Sequence, residues 1–148
     1  MTATSLFTPG QGDAVLSGTP GAGSGGTYRL TLDASNGVTP AATQAFTLTV
    51  RQAPSIVSPG RAKFRYGRRT RFVVRGKGYP LPTLRLVRRL PRGFTFRSSG
   101  KGTASLTANP IRWEIGRRFT IKITARNGVG QAVTHKLTIE VPPARKSS

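Results

Sequence analysis

The chain has 148 residues, with 24 Lys and Arg against 4 Asp and Glu, one His and no Cys, for a formal charge of +20. At 36% hydrophobic it can bury a core, and its length suits one or two small domains. Disulfides, Cys-ligated zinc and thiol nucleophiles are excluded, and four acids with one His leave almost nothing for acid–base catalysis.

The chain opens MTATSLFTPG, without a basic n-region or an apolar h-region, so no signal peptide is read there. No stretch approaches the ~18 consecutive apolar residues of a membrane span. Residues 1–50 hold one base, Arg29, and two acids, Asp13 and Asp33. Residues 51–148 hold 23 bases against Glu114 and Glu140, and 18 of the 24 bases in the chain are Arg. A charge step of this size points to two units with different surfaces, one of them facing an anionic partner.

The run Gly21-Ala22-Gly23-Ser24-Gly25-Gly26 satisfies the spacing of a phosphate-binding loop on paper. A strand pattern follows it where a phosphate cradle needs a helix, so it reads as an inter-strand loop. Residues 28–50 then align without a gap on residues 119–141, with eight of 23 positions identical. Asn36-Gly37-Val38 and Asn127-Gly128-Val129 recur within that alignment. Upstream, residues 6–20 align on 96–110, where Gly10, Gly12, Ala14, Leu16 and Pro20 recur. The chain therefore contains a duplication.

The first copy matches only the later part of the second. Residues 1–50 are expected to supply only the last four strands, D to G, of a repeat whose seven strands are lettered A to G in chain order, with its earlier strands lying upstream of Met1 or supplied by a partner. Residues 51–53 read as a short linker, 54–143 as a complete unit and 144–148 as a basic tail.

Within 54–143, period-two alternation predicts strands near 62–66, 70–75, 83–87, 94–97 and 103–107, then two more at Phe119–Arg126 and Lys136–Val141. Phe64, Phe72, Val74, Leu84, Leu86, Phe96, Leu106, Phe119, Ile121, Ile123, Leu137 and Ile139 form the expected core. Lys63, Arg65, Arg71, Arg75, Arg85, Lys122 and Lys136 take the outward parity. About seven short strands in about 90 residues, with no helical periodicity, predict an all-β immunoglobulin-like sandwich.

The strings Gly78-Tyr79-Pro80-Leu81-Pro82, Leu90-Pro91-Arg92-Gly93-Phe94-Thr95-Phe96 and Gly100-Lys101-Gly102-Thr103-Ala104, closing on Asn127-Gly128-Val129, resemble the cadherin-like, immunoglobulin-like repeats of bacterial secreted and surface proteins. That resemblance implies a tandem, non-enzymatic module with neighbouring repeats, used as a stalk or in adhesion at the cell surface or outside the cell. Some cadherin-like relatives hold calcium between repeats through acid-rich clusters. The acids of this sequence are too few to carry that over, and no cofactor or metal is expected.

In such a sandwich the A–B, C–D and E–F turns gather at one pole. Those turns hold Arg68 and Arg69, then Arg88, Arg89 and Arg92, then Arg112, Arg117 and Arg118, and the tail adds Arg145 and Lys146. The other pole is expected to carry only Lys77. Like charges within a Debye length of about 8 Å repel, so the cluster is the candidate site for a polyanion: a cell-wall polymer, an acidic polysaccharide or a nucleic acid. The dispersed strand bases are expected to matter less. The bland alternative is a spacer repeat with a solvated basic surface and no ligand. Trp113 is expected to cover the open end of the core, and His135 to be a half-exposed strand end.

Overall fold

The computed structural model describes residues 4–7, through their backbone, and 14–143. Arg145, Lys146 and Asp13 lie outside the described residues. The chain divides into two compact units, Met1–Gln52 and Ala53–Ser148.

The second unit contains eight strands. They are β5 (Gln52–Ile56), β6 (Arg61–Lys63), β7 (Thr70–Tyr79), β8 (Thr83–Leu86), β9 (Phe94–Ser98), β10 (Thr103–Ala108), β11 (Arg118–Arg126) and β12 (Val133–Glu140), numbered after the four of the first unit. One sheet has the order β5-β7-β10-β9 and the other β6-β12-β11-β8. β10 pairs antiparallel with β7 and β9, and β11 with β12 and β8, while β6 runs parallel to β12. The first edge of the unit is thus shared: β5 joins one sheet and, after the break at Pro59 and Gly60, β6 joins the other. Sequence periodicity missed β5, because Pro54 and Ser55 interrupt its alternation. Gln52 and Ala53, read as linker, already belong to that strand.

Alternation explains the core. Phe64, Val74, Leu84, Leu106, Ile123, Leu137 and Ile139 are completely buried between the two sheets. Phe72, Leu86, Phe96 and Phe119, expected in the core, are partly buried against it. Phe94, which the sequence reading left out, is buried and packs edge-on to Phe64 and Phe119, with ring centroids 5.4 and 6.3 Å away. Ala62, Ala104, Ala108 and Ala125 are buried in the same core. The seven bases assigned outward parity are all exposed.

The first unit holds two hairpin-like pairs: β1 (Thr4–Phe7) with β2 (Ala14–Ser17), and β3 (Gly26–Ala34) with β4 (Ala42–Val50). Leu30 lies opposite Phe46 and Tyr28 opposite Leu48, as Ile121 lies opposite Leu137 and Phe119 opposite Ile139. The duplicated segments therefore share one register. They also share one turn device, since the Asn36 and Asn127 side chains accept hydrogen bonds from the Val38 and Val129 amides at 3.0 and 3.1 Å. Gly37 and Gly128 supply the positive φ that this turn needs, at 85° and 77°. The earlier pair departs from the repeat by one residue: Leu6 lies opposite Val15, whereas Phe96 lies opposite Leu106.

Burial separates the copies. Ile121, Ile123 and Leu137 are at most 7% exposed, whereas Leu30, Leu32 and Phe46 are 37–46% exposed. The same hairpin has a second sheet over it in one unit, and among the described residues of the first unit its apolar face is open to solvent. The loop at 21–26 runs into β3 with no helix after it.

Candidate polyanion-binding end

Strand register decides which turns share an end. Thr70 at the start of β7 lies opposite Ala108 at the end of β10, which lies opposite Phe94 at the start of β9. Arg118 at the start of β11 lies opposite Glu140, and Glu140 opposite Lys63 at the end of β6. The β6–β7, β8–β9 and β10–β11 connections consequently emerge at the same end of the sandwich. Arg68 and Arg69 lie in the first, Arg88, Arg89 and Arg92 in the second, and Arg112 and Arg117 in the third. All are exposed.

The backbone beneath these arginines is tied together. The Asn109 amide donates to the Gly93 carbonyl at 3.0 Å, joining the second connection to the third. A Cβ at Gly93 would come within 2.8 Å of the Asn109 carbonyl oxygen, and Gly93 has φ of +79°, so glycine is required there. The Gly116 amide donates to the Val141 carbonyl at 2.7 Å, and the Val141 amide to the Arg117 carbonyl at 3.0 Å. A single turn of 3-10 helix, Arg112–Glu114, turns the Glu114 side chain inward. That carboxylate is buried: Oε2 accepts the Ile111 amide at 3.0 Å, and Oε1 has no hydrogen-bond partner.

Three expectations need correction. Arg118 is the first residue of β11, and its Nε lies 3.4 Å from the Glu140 Oε1, the one ion pair among the described residues. It is therefore partly neutralised, because strand pairing sets it directly across from the only acid on β12. Trp113 does not cover the core. It is 54% exposed, with the Arg117 guanidinium 4.9 Å from its ring centroid, because the buried Glu114 takes the inward position of that turn. The opposite end is less bare than expected. Lys77 belongs to β7, which runs longer than its periodicity suggested, while Lys101 in the β9–β10 turn and Arg126 at the end of β11 also lie toward that end.

His135 is half-buried near the start of β12, with Nε2 3.4 Å from the Pro59 carbonyl oxygen. Among the described residues no three His, Cys, Asp or Glu side chains gather as a metal site. No helix there is long and apolar enough to cross a membrane.

Sequence reasoning missed one concavity. A groove of about 750 Å³ begins at Arg69 and Asn109 and runs onto the outer face of the β5-β7-β10-β9 sheet, where Arg71, Thr95, Arg97, Ser105 and Thr107 line it. Outward parity flagged Arg71. Nothing in the sequence joins it to Arg97, which comes beside it only through β10.

No protein-family model matches this sequence, and no curated protein matches it. Solved structures do match. The sialic acid binding region of a Streptococcus sanguinis adhesin aligns at TM-score 0.53 and 14% identity, over 68% of this chain and 32% of that one. An endo-fucoidan hydrolase of glycoside hydrolase family 107 aligns at TM-score 0.50 and 16% identity, over 97% of this chain and 23% of that one. The Ig1-2 module of the Drosophila receptor protein tyrosine phosphatase DLAR aligns at TM-score 0.47 and 25% identity, over 64% and 52%. The first two matches span less than a third of those proteins. The two packed four-stranded sheets above define an immunoglobulin-like β-sandwich.

Proposed function

We propose that this chain is a non-enzymatic immunoglobulin-like module of a bacterial extracellular or surface protein, serving as a stalk or adhesion repeat whose basic end docks an anionic polymer. One observation carries the reading: three connections distant in sequence bring seven unpaired arginines to one end, on a backbone held by cross-connection hydrogen bonds. Clustering of this kind costs electrostatic free energy that an anion would relieve. Arginine suits the task, since its planar fork meets phosphate, sulfate or carboxylate with two hydrogen bonds. The adhesin region that aligns with this chain binds sialic acid, which agrees with the adhesion reading. The shared register and shared Asx turn of the two copies agree with a tandem, stalk-forming role.

Binding to duplex DNA, taken as a test polyanion, should fall steeply with salt, with a log–log slope of about −0.9 per phosphate neutralised. Replacing Arg68, Arg69, Arg88, Arg89, Arg112 and Arg117 by Ser should flatten that slope and remove most of the binding. No binding of the parent chain at low salt would leave a spacer without a ligand.

A further inference from the structure

The outer face of the β5-β7-β10-β9 sheet is not a uniform basic surface. Outward positions on β10 are Thr103, Ser105 and Thr107, and Thr107 lies between Arg71 on β7 and Thr95 on β9. Ser105 lies beside Arg97 on β9. The result is a patch of hydroxyls on β10 and the edge strand β9, with Arg71 on β7 and Arg97 on β9 diagonally across it, and Arg69 at the mouth beside the basic end. From strand spacing and rise, Arg71 and Arg97 stand roughly 12 Å apart at their Cα atoms, across the groove from each other. Among the described residues none of the side chains of Arg69, Arg71, Thr95, Arg97, Ser105 and Thr107 makes a hydrogen bond or an ion pair with the protein, so their donors are all available.

We infer that this groove binds a segment of anionic polysaccharide, its carboxylate or sulfate groups taken by Arg71, Arg97 and Arg69 and its hydroxyls by Thr95, Ser105 and Thr107. The inference rests on the reading of the basic end as a polyanion dock and names the ligand class and the place. The chemistry selects the class. Ser and Thr hydroxyls both donate and accept, as sugar hydroxyls do, while guanidinium groups only donate and require an anion. A single-stranded nucleic acid would need aromatic platforms for its bases, and the groove is lined by none. Duplex DNA would need an element that enters a groove, and a sheet face flanked by Arg71 and Arg97 offers none.

The test uses the full chain with a size-defined heparin oligosaccharide, its desulfated counterpart, a single-stranded oligonucleotide of equal charge, and duplex DNA as control. Two variants remove equal charge: Arg71→Ser with Arg97→Ser in the groove, and Arg88→Ser with Arg89→Ser in the β8–β9 turn. A third, Thr95→Val with Thr107→Val, removes hydroxyls alone and keeps strand-forming residues. Thermal unfolding confirms that each is folded. The groove pair should weaken heparin binding at least about tenfold, a loss of about 1.4 kcal/mol. The turn pair should weaken it less than about threefold, with the larger effect on DNA. The valine pair should weaken heparin binding severalfold and leave its salt slope unchanged.

Equal losses from the groove and turn pairs would overturn the inference in favour of diffuse attraction. Unchanged binding by the valine pair, or equally tight binding of the oligonucleotide, would overturn the choice of saccharide. A parent chain that binds DNA but not heparin defeats the groove and leaves the basic dock standing; one that binds neither defeats both.

Discussion

Glu114 is the one buried charged side chain among the described residues, and it turns back to accept the Ile111 amide while its other oxygen goes unpartnered. Its neighbour Trp113 looks like the more important residue in the sequence but sits on the surface against Arg117. The two should separate in equilibrium urea unfolding. Glu114→Ala strands a part-buried amide and opens a void, and should cost about 1–3 kcal/mol. Trp113→Ala loses an exposed cation–π contact and should cost below about 1 kcal/mol. The reverse ranking would mean that Trp113 packs on the core after all.

At the scale of the element, β11 and β12 carry Lys122 and Lys136 directly opposite each other on the solvent face. Like charges in that relation are unfavourable, and the corresponding pair in the first unit is Thr31 and Ala45. The two hairpins thus share a register and differ in the charge of the outer face. Lys136→Glu should raise stability by about 0.5 kcal/mol at low salt, with the gain shrinking at high salt. A thermal melt at two ionic strengths checks this; a loss at low salt would mean that the lysines do not feel each other. Of the four terminal strands β6 has three residues, β8 has four, β9 carries Arg97 and β5 carries Pro54. Shortness, charge and proline each discourage edge-to-edge pairing.

For the whole molecule, the comparison between units is the informative one. The hairpin β3–β4 has the register of β11–β12, yet its apolar face of Leu30, Leu32 and Phe46 is exposed. Burial of apolar surface, rather than hydrogen bonding within the hairpin, supplies most of the stability of such a pair. Hydrogen exchange on the full chain should therefore show amides of residues 26–50 exchanging orders of magnitude faster than those of 118–140. Equal protection in a monomer would contradict the half-unit reading of residues 1–50. Protection that rises with protein concentration would mean that a second copy supplies the cover.

Local pattern by itself determined much of this protein. Alternation of Ile121 and Ile123 with Lys122 and Thr124 sorted inward from outward residues, because successive side chains on a strand point to opposite faces. Repetition of Asn-Gly-Val predicted a common turn, because the turn's hydrogen bond and positive φ lie within three residues. Strand order placed the turn arginines at one end, since antiparallel succession leaves little freedom. Other features were decided only by tertiary structure. The β5 strand exists because a neighbouring sheet edge accepts it, despite Pro54. Arg118 is neutralised only because pairing puts Glu140 across from it. The groove requires Arg71 and Arg97 to flank a third strand, so it depends on two registers at once between segments far apart in sequence. Period-two patterning says which way a side chain points; which other side chain it meets there is set by strand pairing, to which local sequence is blind.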